Sequence, residues 1–391
     1  MLRVLTLSTL FPNGAEPVLG PFVERQMLGL AARPGVEVEV VAPIGLPLWP
    51  LSRHGHYAPR AALPVEETWK GLRVHRPRYT VWPGLARRTP AAMAASLLPL
   101  LLRIRARFPF DVIDAEFFWP DGPAAASLSR ALGVPFSIKA RGSDIHYWGE
   151  RADTRAQILK AGRRAGGLLA VSAALKDAMV RVGLPGDSIA IHYTGVDLDL
   201  FQPIDRAEAK KRLGVDGALV VTAGALIEKK GQRLAIEAVG QVPDATLILL
   251  GDGPDRPRLE ALAAKSGGRV RFAGRRPHEE LPLYFGAADA TLLPSASEGL
   301  ANVWVESLAC GTPVVTADVG GAREVVKSAE AGRLAAREPA ALAAALREIL
   351  VDPPAQAAVR RCAERFSWQR NAGELEAHLR ALVEGRSARA A

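Results

Sequence analysis

The sequence predicts an α/β protein built from two Rossmann-like, doubly wound parallel-sheet domains. Three observations carry that expectation. Short β-branched runs alternate with helix-like stretches along the chain. The alternation pauses at GVDLDLFQPIDRAEAKKRLG and restarts at ALVVTAG. The length of 391 residues also exceeds what one hydrophobic core usually serves.

Taken in order, LRVLTL reads as the opening strand, PFVERQMLGLAA as a helix and VEVEVVAP as the second strand. DVIDAE, VPFSIKA, GLLAVS and SIAIHY follow as strands, with helical or Gly/Pro-marked segments between them. After the join come ALVVTAG, TLILLGDG, VRFAG, ATLLP and TPVVTAD. FSWQRNAGELEAHLRALV closes the chain as a long amphipathic helix, and GRSARAA reads as a frayed tail. The expected division is 1–196, 197–365 and 366–391, the last helix crossing back to the first domain. Ligands of such sheets bind beyond the carboxyl ends of the strands, so two facing domains would place a crevice between them.

Composition narrows the class. The chain is 49% hydrophobic and 23% charged, which is ordinary for a globular protein. Its two cysteines, Cys310 and Cys362, form no disulfide framework, and no clustered metal-ligand spacing occurs, which fits a reducing compartment. HGH at 54–56 and DLD at 197–199 do not have the spacing of a metal site. The opening apolar stretch is too short and too strand-like for a signal peptide. AAMAASLLPLLLRI contains Pro99 and falls short of a spanning helix. The expected location is cytoplasmic, at most peripheral at the inner face of the plasma membrane.

The net charge of +9 is unevenly placed. Residues 1–196 hold 24 Lys+Arg against 15 Asp+Glu, whereas residues 197–391 hold 26 of each. Between Glu67 and Asp111 stand nine basic residues and no acid: Lys70, Arg73, Arg76, Arg78, Arg87, Arg88, Arg103, Arg105 and Arg107. Trp69, Tyr79, Trp82 and Phe108 are interleaved with them. Such a surface suits anionic lipid headgroups or an anionic acceptor. A solvated face without a partner is the alternative. No nucleic-acid motif accompanies the run, so nucleic acid is not the expected partner.

Several strand ends carry candidate chemistry. Gly251 and Gly253 in LLGDGPDRPRLE permit close backbone approach to a phosphate or ribose, and a simple strand-to-helix turn explains them equally well. Lys229 and Lys230 stand at a helix start, where the macrodipole disfavours cations unless an anion binds there, two solvated loop lysines being the alternative. In PSASEGLANVWVESLACGTPVV a loop leads into a helix beginning near Asn302. Glu298 lies in that loop and Glu306 about one turn inside the helix. Carboxylates accept vicinal hydroxyls well, and the helix start offers free amides to an anion.

EGLANVWVESLACGTPVVTADVGGAREVV resembles the signature of retaining glycosyltransferases of the GT-B fold, family 4. GPFVERQ, ARGSDI, TGVDLDLFQP, ALIEKKG, LGDGPDRPRLE and ERFSW fall in the order that family shows, so the resemblance covers nearly the whole chain. It implies that Glu298 contacts the donor sugar's hydroxyls and Glu306 the ribose. It further implies that the backbone amides of Gly299, Leu300, Ala301 and Asn302 meet the sugar and diphosphate. Lys230, aided by Lys229, would neutralise the leaving diphosphate. Gly20 would close its backbone over the phosphates, and Arg275 lies where the chain passes the nucleobase. No divalent metal or other cofactor is implied, because the nucleotide sugar is itself a substrate.

Three departures from the family pattern stand out. Ala225 replaces a frequent Arg. Glu116, in DAE, occupies the second position of a common H-x-H. Arg141, in RGSD, stands where His is frequent. Glu116 would then accept a proton from an acceptor hydroxyl, and Arg141 would contact a phosphate; a purely structural Arg141–Glu116 ion pair is the alternative. The expected function is retaining transfer from a nucleotide sugar to a lipid-linked or polysaccharide acceptor in cell-surface glycan assembly. An NDP-sugar 2-epimerase of the same fold and a non-catalytic assembly partner are the competing readings.

Overall fold

The computed structural model describes residues 1–385; of the expected frayed tail, residues 386–391 lie outside that range. The described residues form two compact units, one of residues 1–194 with 368–385, the other of residues 195–367.

The first unit holds ten strands. They are β1 Leu2–Leu7, β2 Val36–Val41, β3 Ile44–Leu46, β4 Glu66–Trp69, β5 Leu72–His75, β6 Arg78–Thr80, β7 Val112–Ala115, β8 Phe136–Ala140, β9 Gly167–Ala170 and β10 Ile189–Ile191. Eight of them form one sheet in the order β10-β9-β8-β7-β1-β2-β5-β4. Its pairs are parallel except β4 against β5. The central strands β7, β8 and β9 are buried along their whole length, as expected of a sheet covered on both faces. β3 and β6 make a separate parallel ribbon. Strand order turns back between β1 and β7, which is the switch point where ligands of open α/β sheets bind.

The helix Trp368–Val383 belongs to this first unit. Ala372, Leu375, Leu379 and Leu382 recur at helical spacing and are buried. The three leucines join the core formed by Val23, Met27 and Leu30 of the helix Pro21–Ala31. Gly29 allows the two helices to approach closely, since a β-carbon there would lie 3.5 Å from Ala372 Cβ. Polar contacts fix the register: Asn371 O accepts from His192 Nε2 at 2.8 Å, and Asn371 Nδ2 donates to Tyr193 O at 2.6 Å.

The second unit holds β11 Ala218–Ala223, β12 Ala245–Leu250, β13 Val270–Gly274, β14 Ala290–Leu293, β15 Val314–Ala317 and β16 Gly332–Ala335. They form an all-parallel sheet in the order β13-β12-β11-β14-β15-β16, with its switch point between β11 and β14. The helices Gln232–Gly240 and Pro339–Val351 cover one face, bringing Leu234, Ala238, Leu342 and Leu346 onto Leu247 and Leu292. Asp197 serves the join as a turn: its Oδ1 accepts from the amides of Asp199 at 3.0 Å and Leu200 at 2.9 Å.

Candidate active site

The switch point of the second unit brings Lys230 and Glu298 together at the start of the helix Asn302–Ala309, whereas Gly20 lies in the first unit and Arg275 follows the edge strand β13. Lys230 follows β11, and Glu298 follows β14, the strand beside it. Lys230 Nζ donates to Glu298 Oε1 at 2.6 Å, and both side chains are mostly shielded. The helix Asn302–Ala309 starts at Ala301 with no side-chain cap, leaving amides at its first turn for an external acceptor. Glu306 lies inside that helix, 7% exposed. Lys229 is exposed, and its carbonyl accepts from Ala296 N at 2.8 Å. Arg275 is exposed immediately after β13.

Glycines brace this arrangement. Gly231 adopts φ +76°, and a β-carbon there would meet Pro294 O at 2.3 Å, so the lysine turn rests directly on the end of β14. A β-carbon on Gly320 would fall 2.0 Å from Glu298 O, and Gly321 N donates to Gly299 O at 2.8 Å. The glycine pair of DVGGAREVV therefore holds the Glu298–Gly299 backbone from the other side. Gly251 and Gly253 have a packing reason too: β-carbons there would strike Gly224 O and Leu226 O.

His278 is a site neighbour that the sequence reading passed over. Its Nε2 lies 3.0 Å from Glu306 Oε1, and its ring stands edge-on to Phe201 with centroids 4.9 Å apart. The available signal was its place in RRPHEE, a few residues beyond Arg275.

In the first unit, Gly20 follows β1 and precedes the helix Pro21–Ala31 in left-handed conformation, φ +63°. A β-carbon would meet Leu10 O at 2.3 Å, so the position requires glycine. Glu116 follows β7 and is wholly buried. Its carboxylate accepts from Gln26 Nε2 and from Arg141 Nη2. Arg141, 5% exposed at its side chain, also lies over the Phe22 ring. Gln26 Oε1 accepts from Lys139 Nζ at 2.6 Å, and Lys139 Nζ reaches His192 Nδ1 at 2.7 Å.

This placement bears on two expectations. Glu116 is not an open carboxylate ready for an acceptor's proton. Burial pushes its pKa up, but the charges of Arg141 and Lys139 outweigh burial and hold it below the ordinary value. Arg141 pairs with Glu116 through Nη2, while its buried Nη1 has no hydrogen-bond partner among the described residues. Burial also pushes Lys139 well below its usual value, and burial together with Glu116 raises Asp114. Lys139, in the strand VPFSIKA, had no signal beyond being a charge in an apolar run.

The basic run of the first unit is largely paired within the fold. Arg76 is buried and paired with Glu67. Lys70 meets Glu24 at 3.1 Å, Arg73 meets Glu66 at 3.6 Å and Arg107 meets Glu39 at 2.8 Å. Arg78 and Arg105 donate to backbone carbonyls. Tyr79 and Phe108 are buried, and Trp69 donates to Glu24. Arg87, Arg88 and Arg103 stay exposed. Acids from other segments neutralise much of what looked, in one dimension, like a single basic face.

Two Rossmann-like parallel-sheet units of this topology make the α/β architecture of the GT-B fold. Solved structures agree on that fold. Sucrose-phosphate synthase from Thermosynechococcus elongatus superposes with TM-score 0.76 at 22% identity, covering 98% of this chain and 100% of that one. Anabaena Alr3699/HepE in complex with UDP gives TM-score 0.75 at 22% identity, covering 97% and 100%. Residues 22–200 match the family model Glycosyltransferase Family 4, and residues 204–366 match Glycosyl transferases group 1.

The chain belongs to the group 1 glycosyltransferases. A candidate teichuronic acid biosynthesis glycosyltransferase, TuaC of Bacillus subtilis (strain 168), is 31% identical over 331 residues, 82% of each chain. D-inositol 3-phosphate glycosyltransferase of Acidothermus cellulolyticus is 33% identical over 318 residues, 71% of this chain and 69% of that one. 2-Deoxystreptamine glucosyltransferase of Streptomyces kanamyceticus is 30% identical over 289 residues, 67% and 74%. Among the described residues no helix is long and apolar enough to cross a membrane.

Proposed function

We propose that this glycosyltransferase takes its sugar from a nucleoside-diphosphate sugar and transfers it, with retained anomeric configuration, to a lipid-linked or saccharide acceptor in cell-surface glycan assembly. The observation that carries the donor reading is the Lys230–Glu298 contact of 2.6 Å beside an uncapped helix start. In the resting site the two charges neutralise each other. A diphosphate at the helix start competes for Lys230 and releases the Glu298 carboxylate to accept the sugar's hydroxyls. Breaking the anomeric bond leaves extra negative charge on the diphosphate. Lys230 and the amides of Gly299–Asn302 stabilise that charge as it develops. Glu306, steadied by His278, accepts from the ribose hydroxyls. No step uses a metal ion, so turnover persists in EDTA.

Glu116 and Arg141 act here as positioning residues at the sheet end of the first unit, not as proton carriers. The cell-surface role draws its support from the likeness to the teichuronic acid relative. The test is product analysis by proton NMR with a nucleotide sugar that binds. An unchanged anomeric configuration in the transferred sugar supports the reading. An inverted product, or an epimer formed from donor alone, overturns it.

A further inference from the structure

β3 and β6 run parallel, and Val81 N donates to Leu46 O at 2.9 Å, so two loops leave the same end of that ribbon. The first, residues 47–53, exposes Leu48 at 59%, Trp49 at 74% and Leu51 at 58%, followed by exposed Arg53. The second, residues 82–88, ends in exposed Arg87 and Arg88. Neither loop contains an acid. Three large apolar side chains within four residues are an unusual exposure for a water-facing loop. A tryptophan with leucines beside arginines matches the chemistry of a bilayer's interface: apolar body inward, cations at the phosphates.

Residues on either side of the first loop in the chain line a cavity of about 350 Å³. Tyr57 and Arg60, just beyond the loop, line it together with Ile44, Tyr79 and Asn13. Asn13 is wholly buried, and its Nδ2 has no partner among the described residues. A buried amide donor of this kind calls for an acceptor atom from a ligand.

We propose that the 47–53 loop is a docking tip for an anionic bilayer. Trp49, Leu48 and Leu51 enter the headgroup–acyl boundary, and Arg53, Arg87 and Arg88 meet lipid phosphates. Docking sets the cavity beside the headgroups, where it receives the polar head of an amphiphilic acceptor. The acceptor half of this statement rests on the proposed function; the docking half does not.

The experiment is flotation of the full chain with vesicles of phosphatidylglycerol and phosphatidylcholine, against phosphatidylcholine alone. The wild type floats with the anionic vesicles, and binding weakens as salt rises. Trp49→Ser with Leu51→Ser lowers the partition coefficient at least tenfold. Arg87→Gln with Arg88→Gln lowers it roughly fivefold per arginine. Leu102→Ser, an equally exposed apolar site elsewhere on this unit, leaves it unchanged. Three outcomes overturn the proposal: no flotation, flotation that the Trp49/Leu51 pair does not alter, or a Trp49-dependent dimer without flotation. Donor-induced thermal stabilisation is read on the same variants. It persists when only docking has failed and is missing from the wild type when the donor reading itself is wrong.

Discussion

Lys230 and Glu298 form a charge pair, and under the proposed function the donor diphosphate opens it, which sets what their substitutions do. Lys230→Ala removes the cation that meets charge on the leaving diphosphate, so kcat falls by roughly a hundred- to a thousandfold. Glu306→Gln weakens a contact made equally before and during bond breaking, so donor KM rises while kcat changes less. Steady-state kinetics on the two variants separate these roles; equal effects on kcat would remove the distinction. His378 permits a pH test of the first unit. Burial pushes its pKa down to about 4, and Ser137 Oγ lies 2.8 Å from its Nε2. With the unfolded value near 6.5, stability tied to this ring is full above that pH and is lost as pH falls toward 4. Asp121, raised to about 8 chiefly by burial, slopes the other way over the same range, so the test must be differential. Relative to His378→Gln, the wild type loses about 2 kcal/mol between pH 7 and pH 5 in chemical denaturation. Parallel curves for the two proteins would contradict this.

Among the elements, the site depends on turns that only glycine can make. Gly320→Ala drives a β-carbon into the Glu298 carbonyl, so the donor loop shifts or the second unit loses stability, by about 1–3 kcal/mol. Its check is thermal unfolding with and without nucleotide sugar, where both the midpoint and the ligand-induced shift decline. The helix Trp368–Val383 is equally testable. Leu375 is fully buried against the first unit's core, and Leu375→Ala costs about 2–5 kcal/mol by denaturation. Elements of this kind were legible in the sequence because period and punctuation agree: β-branched runs for the sheets, small residues and Gly at strand ends, and apolar spacing in the last helix. The ribbon of β3 and β6 was not, since three-residue strands carry too little pattern. The fate of the basic run was hidden for a different reason. Its counter-charges, Glu24, Glu39, Glu66 and Glu67, arrive through sheet pairing and helix packing. His278 was missed because its partner Glu306 is 28 residues away, a distance no local pattern spans.

At the scale of the molecule, the two units differ in charge. The second is nearly neutral in sequence and concentrates its polar chemistry at one switch point, between β11 and β14. The first carries the excess positive charge, buries an ionic network at its own switch point, and exposes an apolar tip with arginines beside it. Such a division suits an enzyme that holds a nucleotide sugar with one unit and meets its acceptor with the other. The claim tested most directly is that the Lys230, Glu298 and Glu306 cluster is a nucleotide-sugar site. The deciding measurement is a thermal-shift screen of the wild type against nucleotide sugars of different bases, repeated on Lys230→Ala and Glu306→Gln. The account predicts that one base class raises the unfolding midpoint of the wild type and that both substitutions largely abolish the rise. A wild type that no nucleotide sugar stabilises, or a rise that survives both substitutions, would contradict it.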